Sequence, residues 1–175
     1  MTYNATELSL IAEGRLFCRD ELEPRSNPKR SLLVTPEINA LLDGAGPLGF
    51  PNYDSDVIVG YFVRGWLLNV SLAYVEGTDP HLERLDPPVD EVWCLCVRTP
   101  APGWRFMGRF LRKNTLVLLS AYDRRTLGSR ENYQTHALKV PAAWDALFPG
   151  QQPLRGQLID DYIGGTWRDA NESID

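Results

Sequence analysis

The chain has 175 residues, 43% hydrophobic and 23% charged, which argues against a disordered chain and suits a single domain able to bury its own core. Its net charge of −5 disfavours nucleic acid as a partner for the surface as a whole. No run approaches the roughly 20 apolar residues that cross a bilayer, the start Met-Thr-Tyr-Asn-Ala-Thr-Glu lacks the basic and apolar parts of a signal peptide, and three cysteines (Cys18, Cys94, Cys96) do not make a disulfide scaffold. The expectation is a cytoplasmic protein with no membrane partner.

In chain order, Thr6 can cap a helix from Glu7 to about Phe17, with Leu8, Ile11 and Leu16 near one face. Residues 19–30 are charged, hold two prolines and read as a loop. Thr35-Pro-Glu-Ile-Asn-Ala-Leu-Leu-Asp-Gly44 has a cap, a proline at the first helical position and a closing glycine, and predicts a short helix. Val57–Val63 and Leu67–Val75, rich in β-branched and aromatic residues around Gly65, predict a hairpin, with one long buried helix as the rival. Val92–Arg98 and Trp104–Leu111 alternate as strands, and Leu116–Tyr122 is almost wholly apolar, as a central strand should be. Short links between the three predict an antiparallel meander. Residues 123–135 are polar, Lys139 or Pro141 to Phe148 predicts a helix, and residues 157–175 form an acidic tail packing loosely through Ile159, Tyr162, Ile163 and Trp167. The expected fold is α+β in one domain over 1–175. Residues 1–56 supply an N-terminal helical and loop part, residues 57–122 an antiparallel meander sheet of about five strands, and residues 123–156 a loop and helix.

Charge is unevenly spread. From Arg98 to Arg130 there are eight basic residues (Arg98, Arg105, Arg109, Arg112, Lys113, Arg124, Arg125, Arg130) and one acid, Asp123, so this stretch carries +7 and the rest of the chain −12. Such asymmetry points to an anionic partner for the basic part. Fifteen of the 18 basic residues are arginine, the side chain that grips phosphate in bidentate fashion and stacks on aromatic rings. Arg105 and Arg109 share a strand face, Arg124 and Arg125 leave a strand end, and Tyr133 follows. Together these suit a phosphate backbone with stacked bases.

Other constellations are weaker. Cys94-x-Cys96 has no second cysteine pair or histidine cluster for a zinc site and reads as two buried apolar-like residues. Asp79-x-His81-x-Glu83 reads as a solvated loop. Asp160-Asp161 with Asp169 and Glu172 reads as an acidic, solvated tail. His136 has the chemistry of a general acid or base but stands alone before a helix. There is no Gly-rich phosphate loop, no Gly-x-Ser-x-Gly elbow and no His-Glu-x-x-His helix. No metal or cofactor is expected.

The run Glu91-Val-Trp-Cys-Leu-Cys-Val-Arg98, then Pro102-Gly-Trp-Arg-Phe-Met-Gly-Arg-Phe110, Leu116-Val-Leu-Leu-Ser-Ala-Tyr-Asp-Arg-Arg125 and Ser129-Arg-Glu-Asn-Tyr133 resembles the sheet of RelE/HigB-type toxins. There, a strand ending in Arg leads into a Gly-aromatic-Arg strand, an apolar strand ending in a basic pair, and a Tyr. The resemblance implies a protein of a toxin–antitoxin or mobile-element system acting on RNA or the ribosome, partnered by an antitoxin or host target. It implies metal-independent endoribonuclease chemistry in which the RNA 2′-hydroxyl attacks and basic side chains stabilise the phosphorane. It makes Arg105, Arg124 or Arg125, and Tyr133 the catalytic candidates. Arg98 would hold backbone phosphate, with Arg109, Arg112, Lys113 and Arg130 as further nucleic-acid contacts. Ribonuclease members tend to carry lysines where this chain has Cys94 and Cys96. Two other readings stay open: a non-catalytic phage or mobile-element inhibitor or adaptor that grips a protein or nucleic acid, and a small-molecule pocket near Trp66, Trp93 and Trp104.

Overall fold

The computed structural model describes residues 3–20 and 29–172. Most of the charged stretch expected as a loop, residues 21–28, and the last three residues lie outside the described residues, as does the Arg130 side chain. The elements in order are α1 (Ala5–Ala12), β1 (Phe17–Cys18), β2 (Ser31–Val34), α2 (Pro36–Ala40), α3 (Asn52–Arg64), β3 (Leu68–Ser71), β4 (Leu82–Arg84), β5 (Trp93–Val97), β6 (Trp104–Arg112), β7 (Thr115–Asp123), α4 (Arg124–Leu127), α5 (Arg130–Ala137), α6 (Val140–Leu147), α7 (Ile159–Tyr162) and β8 (Trp167–Asp169).

The eight strands form one mixed sheet in the order β1-β2-β7-β6-β5-β4-β3-β8. This overturns the expected five-stranded antiparallel meander. Only β4, β5, β6 and β7 run antiparallel in succession. Beyond them β2 lies parallel to β7, and β3 lies parallel to both β4 and β8. The hairpin expected over 57–75 is also corrected: its first half is α3. Ser55, Ile58, Val59, Phe62 and Val63, with Gly60 among them, are buried, and the spacing of three and four makes one helical stripe. Gly65, left-handed at φ 69°, ends the helix by donating to the carbonyls of its last turn. Strand propensity at Val57-Ile-Val yields here to the tertiary stripe.

Alternation along the strands divides the core in two. Leu32, Val34, Val70, Trp93, Leu95, Val97, Phe106, Phe110, Leu116 and Leu118 pack against α2, α3 and α7. Leu33, Cys94, Cys96, Met107, Leu111, Val117 and Leu119 pack beneath α1, α4, α5 and α6. The structure is thus a helix–sheet–helix sandwich, which explains why β5, β6 and most of β7 are buried on both faces. The polar stretch read as a loop over 123–135 supplies α4 and most of α5. Asp123 and Ser129 cap them by accepting from the N–H of Arg125 and Asn132. The tail does not pack loosely either. Ile159, Tyr162 and Ile163 are core residues, and the Tyr162 ring lies 4.6 Å from Trp93 and 5.4 Å from Phe110, centroid to centroid.

Gly108 is required by close approach. A Cβ there would stand 1.9 Å from the Val117 carbonyl oxygen. Next to it the ladder slips: Gly108 pairs with Leu118 but Met107 pairs with Ser120, so Leu119 is the extra residue of a β-bulge. The bulge lets the last part of β7 present Tyr122 to the α4–α6 layer while Ala121 meets the opposite core.

Candidate functional site

The antiparallel run decides where the basic residues go. The end of β5, the start of β6 and the end of β7 meet at one end of the sheet, because Val97 pairs with Trp104 and Trp104 with Asp123. Arg98, Arg105 and Arg124 therefore gather there, and α5 returns over them carrying Tyr133 and Gln134. The result is a cavity of about 300 Å³ whose walls include these three arginines, Tyr133, Glu83 and Asp86. The other end of β6 and β7 receives the remaining cations, which the structure does not bring into the cavity. Arg109 is buried on the face beneath α6, with Asp90 and Asp145 as the nearest opposing charges. Arg112 is paired with Glu7 of α1, and Lys113 is exposed in the turn before β7. Arg125 is exposed on α4 and is not part of the cavity wall.

Within the cavity Arg105 is almost fully buried. Its Nη1 donates to the carbonyls of Val97 (3.1 Å) and Trp104 (2.9 Å), which fixes the plane of the guanidinium. Burial acts to lower its pKa, but Cys96, Cys94, Tyr133 and Glu83 outweigh that and raise it. Arg124 donates to the Gly128 carbonyl at 2.8 Å and lies 5.7 Å over the Tyr133 ring, a cation–π contact that holds both side chains. Arg98 donates from Nε to the Pro80 carbonyl at 3.0 Å and pairs with Asp79 at 3.1 Å.

Behind the cavity wall lies a feature the sequence reading missed. Glu83 stands opposite Cys94 in the β4–β5 ladder, and Cys94 and Cys96 share its face. The two sulfurs are 3.5 Å apart and Cys96 Sγ is 3.7 Å from Glu83 Oε1. The Tyr133 hydroxyl lies 3.2 Å from Cys94 Sγ and 3.4 Å from Glu83 Oε1. Contact with Cys94 and burial push the Cys96 thiol up, and burial with the neighbouring Cys94 does the same to the Tyr133 phenol. Reading Glu83 as part of a solvated loop hid this. The available signal was Leu82-Glu-Arg-Leu85, in which strand geometry puts Glu83 on the same face as Leu85, a core residue of the layer that holds both cysteines.

His81 is not a partner of that cluster. Its Nδ1 accepts from the Asn69 N–H at 3.2 Å, and burial, with Arg98 and Arg168 nearby, lowers its pKa. It is therefore neutral when folded, whereas the unfolded chain takes up a proton near pH ~6.5. The stability it contributes is complete above that pH and is lost as pH falls through the lower folded value. Denaturant melts should show a smaller loss of stability between about pH 7 and pH 5 for His81→Asn than for wild type; equal losses would remove His81 from the account.

His136 lies against Tyr122, ring centroids 4.4 Å apart, outside the cavity. Asp161 accepts from the N–H groups of Gln157 and Leu158, and Asp160 from the Trp167 indole, so these tail acids serve local structure. The three tryptophans do not share a cavity. Trp93 is fully buried, Trp104 packs edge-on against Phe50, and Trp66 is half exposed beside Tyr61. Among the described residues no helix is long and apolar enough to cross a membrane.

Comparison with protein-family models, curated proteins and solved structures found no match to the chain.

Proposed function

We propose that the protein acts on RNA, drawing one nucleotide and its phosphate into the cavity formed by Arg98, Arg105, Arg124 and Tyr133. The observation that carries this reading is convergence. Four residues to which the resemblance gives roles, one just past β5, one in β6, one at the start of α4 and one in α5, line a single cavity of about 300 Å³. That volume is at the lower end of ligand-binding clefts, roughly 300–1,000 Å³, and suits a single nucleotide rather than a duplex. Arg105, fixed by two backbone carbonyls, is preorganised to meet charge on a phosphorane. Arg124 stands beside it and Arg98 at the rim holds backbone phosphate. In this reading the chain is a cytoplasmic, RelE-like member of a toxin–antitoxin or mobile-element system, with a protein antitoxin or host target as partner.

A second reading keeps the cavity but not the chemistry. The Tyr133 hydroxyl is engaged with Cys94 and Glu83, an arrangement that favours a non-catalytic binder over a protein that moves a proton on its ligand.

Fluorescence anisotropy with a short labelled single-stranded RNA tests both. Arg98→Ala and Arg124→Ala should each weaken binding at least tenfold, about 1.4 kcal/mol, and flatten the salt dependence. Arg125→Ala and Lys113→Ala should leave affinity within about twofold of wild type. No binding by wild type at low salt, or equal losses in both pairs, would sink the proposal. Cleavage of the bound RNA, and growth arrest on induction that Arg105→Ala with Tyr133→Phe relieves, separate the catalytic reading from the binding one.

A further inference from the structure

We propose that Glu83, Cys94 and Cys96 form a zinc-type metal site whose remaining coordination position opens on the arginine-lined cavity. Residues two apart on β5 point the same way, which puts both thiols on one face, and cross-strand pairing sets the Glu83 carboxylate opposite Cys94. The three donor atoms all lie within 4.8 Å of one another, and no other group of three or more such residues among those described does so.

Two of the three ligand separations are close to the edges of a tetrahedron. Metal–sulfur bonds of ~2.3 Å and metal–oxygen bonds of ~2.0–2.2 Å at tetrahedral angles separate two sulfurs by about 3.8 Å and a sulfur from an oxygen by about 3.5 Å. Two of the three edges, 3.5 Å between the sulfurs and 3.7 Å from Cys96 to Glu83, need only a few tenths of an ångström of adjustment, and the third, from Cys94 to Glu83, is within 4.8 Å. Two thiolates and a carboxylate suit zinc better than magnesium or calcium. Three protein ligands leave one tetrahedral position for water or a ligand oxygen.

The surroundings fit as well. Both cysteines are at most 1% exposed, so the sulfurs are shielded, while Glu83 and Tyr133 form part of the cavity wall and give the ion a way in. A dication held by three anionic ligands retains one negative charge, and Arg105, paired with Cys96 across the ladder, offsets it. The Tyr133 hydroxyl, in reach of Cys94 Sγ and Glu83 Oε1, is placed to orient two ligands from outside the coordination sphere. Each thiol that becomes a ligand releases its proton to solvent. This site is independent of the RNA reading: it holds whether or not the cavity takes a nucleotide.

The test uses the full chain, reduced and stripped with a chelator, titrated with Co²⁺. The expected result is binding of one ion per chain, with thiolate-to-cobalt charge-transfer absorption and the visible bands of four-coordinate cobalt, both abolished when Zn²⁺ displaces it. Cys18→Ser, which removes the one remote thiol, should leave the spectrum unchanged. Cys94→Ser and Cys96→Ser should each diminish the charge-transfer band, and Glu83→Gln should weaken binding at least tenfold. Folded wild-type protein with no thiolate-to-cobalt absorption overturns the proposal, as does a spectrum that persists in the Cys94→Ser/Cys96→Ser protein or vanishes in Cys18→Ser. Should the serine variants fail to fold, the wild-type spectrum and Glu83→Gln decide. Parallel RNA anisotropy with chelator present tells failure of this site from failure of the RNA proposal.

Discussion

Arg112→Met is expected to lower stability by about 3 kcal/mol in urea melts and to leave the RNA affinity of the folded protein unchanged. Glu7, in the first turn of α1, has no exposed surface, and its carboxylate accepts from both terminal nitrogens of Arg112, with Nη2 to Oε2 at 2.8 Å. Removing the guanidinium leaves a carboxylate in the interior without its counter-charge, for which roughly 3–5 kcal/mol is typical. The lower figure applies because the Arg112 side chain is 37% exposed, so water can follow its loss. The double variant Arg112→Met/Glu7→Gln should recover most of the difference, since neither charge then remains. A loss under about 1 kcal/mol in the single variant would show that solvent already compensates Glu7. The result also bears on the basic stretch: an arginine expected to hold nucleic acid instead pins the N-terminal helix to the sheet.

Trp93→Ala should be more damaging still, by about 4 kcal/mol, within the ~3–5 kcal/mol seen on truncating large buried aromatics. The Trp93 ring has no exposed surface and touches Phe110 edge-on at 5.2 Å and Tyr162 at 4.6 Å. Emptying it opens the contact through which the C-terminal segment is seated. Trp93→Phe provides the contrast. The indole N–H has no hydrogen-bond partner among the described residues, so replacing it with a smaller ring removes a buried donor that gains nothing in the fold. That variant should lose less than about 1.5 kcal/mol. Equal losses for Phe and Ala would place the stabilisation in the indole itself rather than in the filled volume.

Local features were readable from the chain, and distant pairings were not. β5, β6 and β7 announce themselves by alternation and short links, and their meander was enough to bring Arg98, Arg105 and Arg124 to one end of the sheet. α3 was readable too, through the three-and-four spacing of Ser55, Ile58, Val59, Phe62 and Val63 and through Gly65 just past its end, but β-branched Val57-Ile-Val drew the reading toward a strand. Nothing local marks Ser31–Val34 as the neighbour of Thr115–Leu118, because parallel partners share no turn and their register depends on the layers packed around them. The same limit hid the cluster behind the cavity. Cys94-x-Cys96 looked like half a site because its third member, Glu83, lies on the neighbouring strand.

The late position of α7 and β8 has a consequence for synthesis. On the ribosome, β2 appears about 80 residues before β7, which at ~5–20 residues per second means waiting some 4–16 s for its partner. Even then the Trp93–Phe110 surface stays uncovered until Tyr162 has been translated. The nascent chain therefore carries an open strand edge until β7 is made and a bare aromatic face until Tyr162 is made, the condition in which chaperone capture competes with aggregation. Docking of Tyr162 on Trp93 and Phe110 is therefore a late step, one that waits for residues about 50 to 70 positions further along the chain.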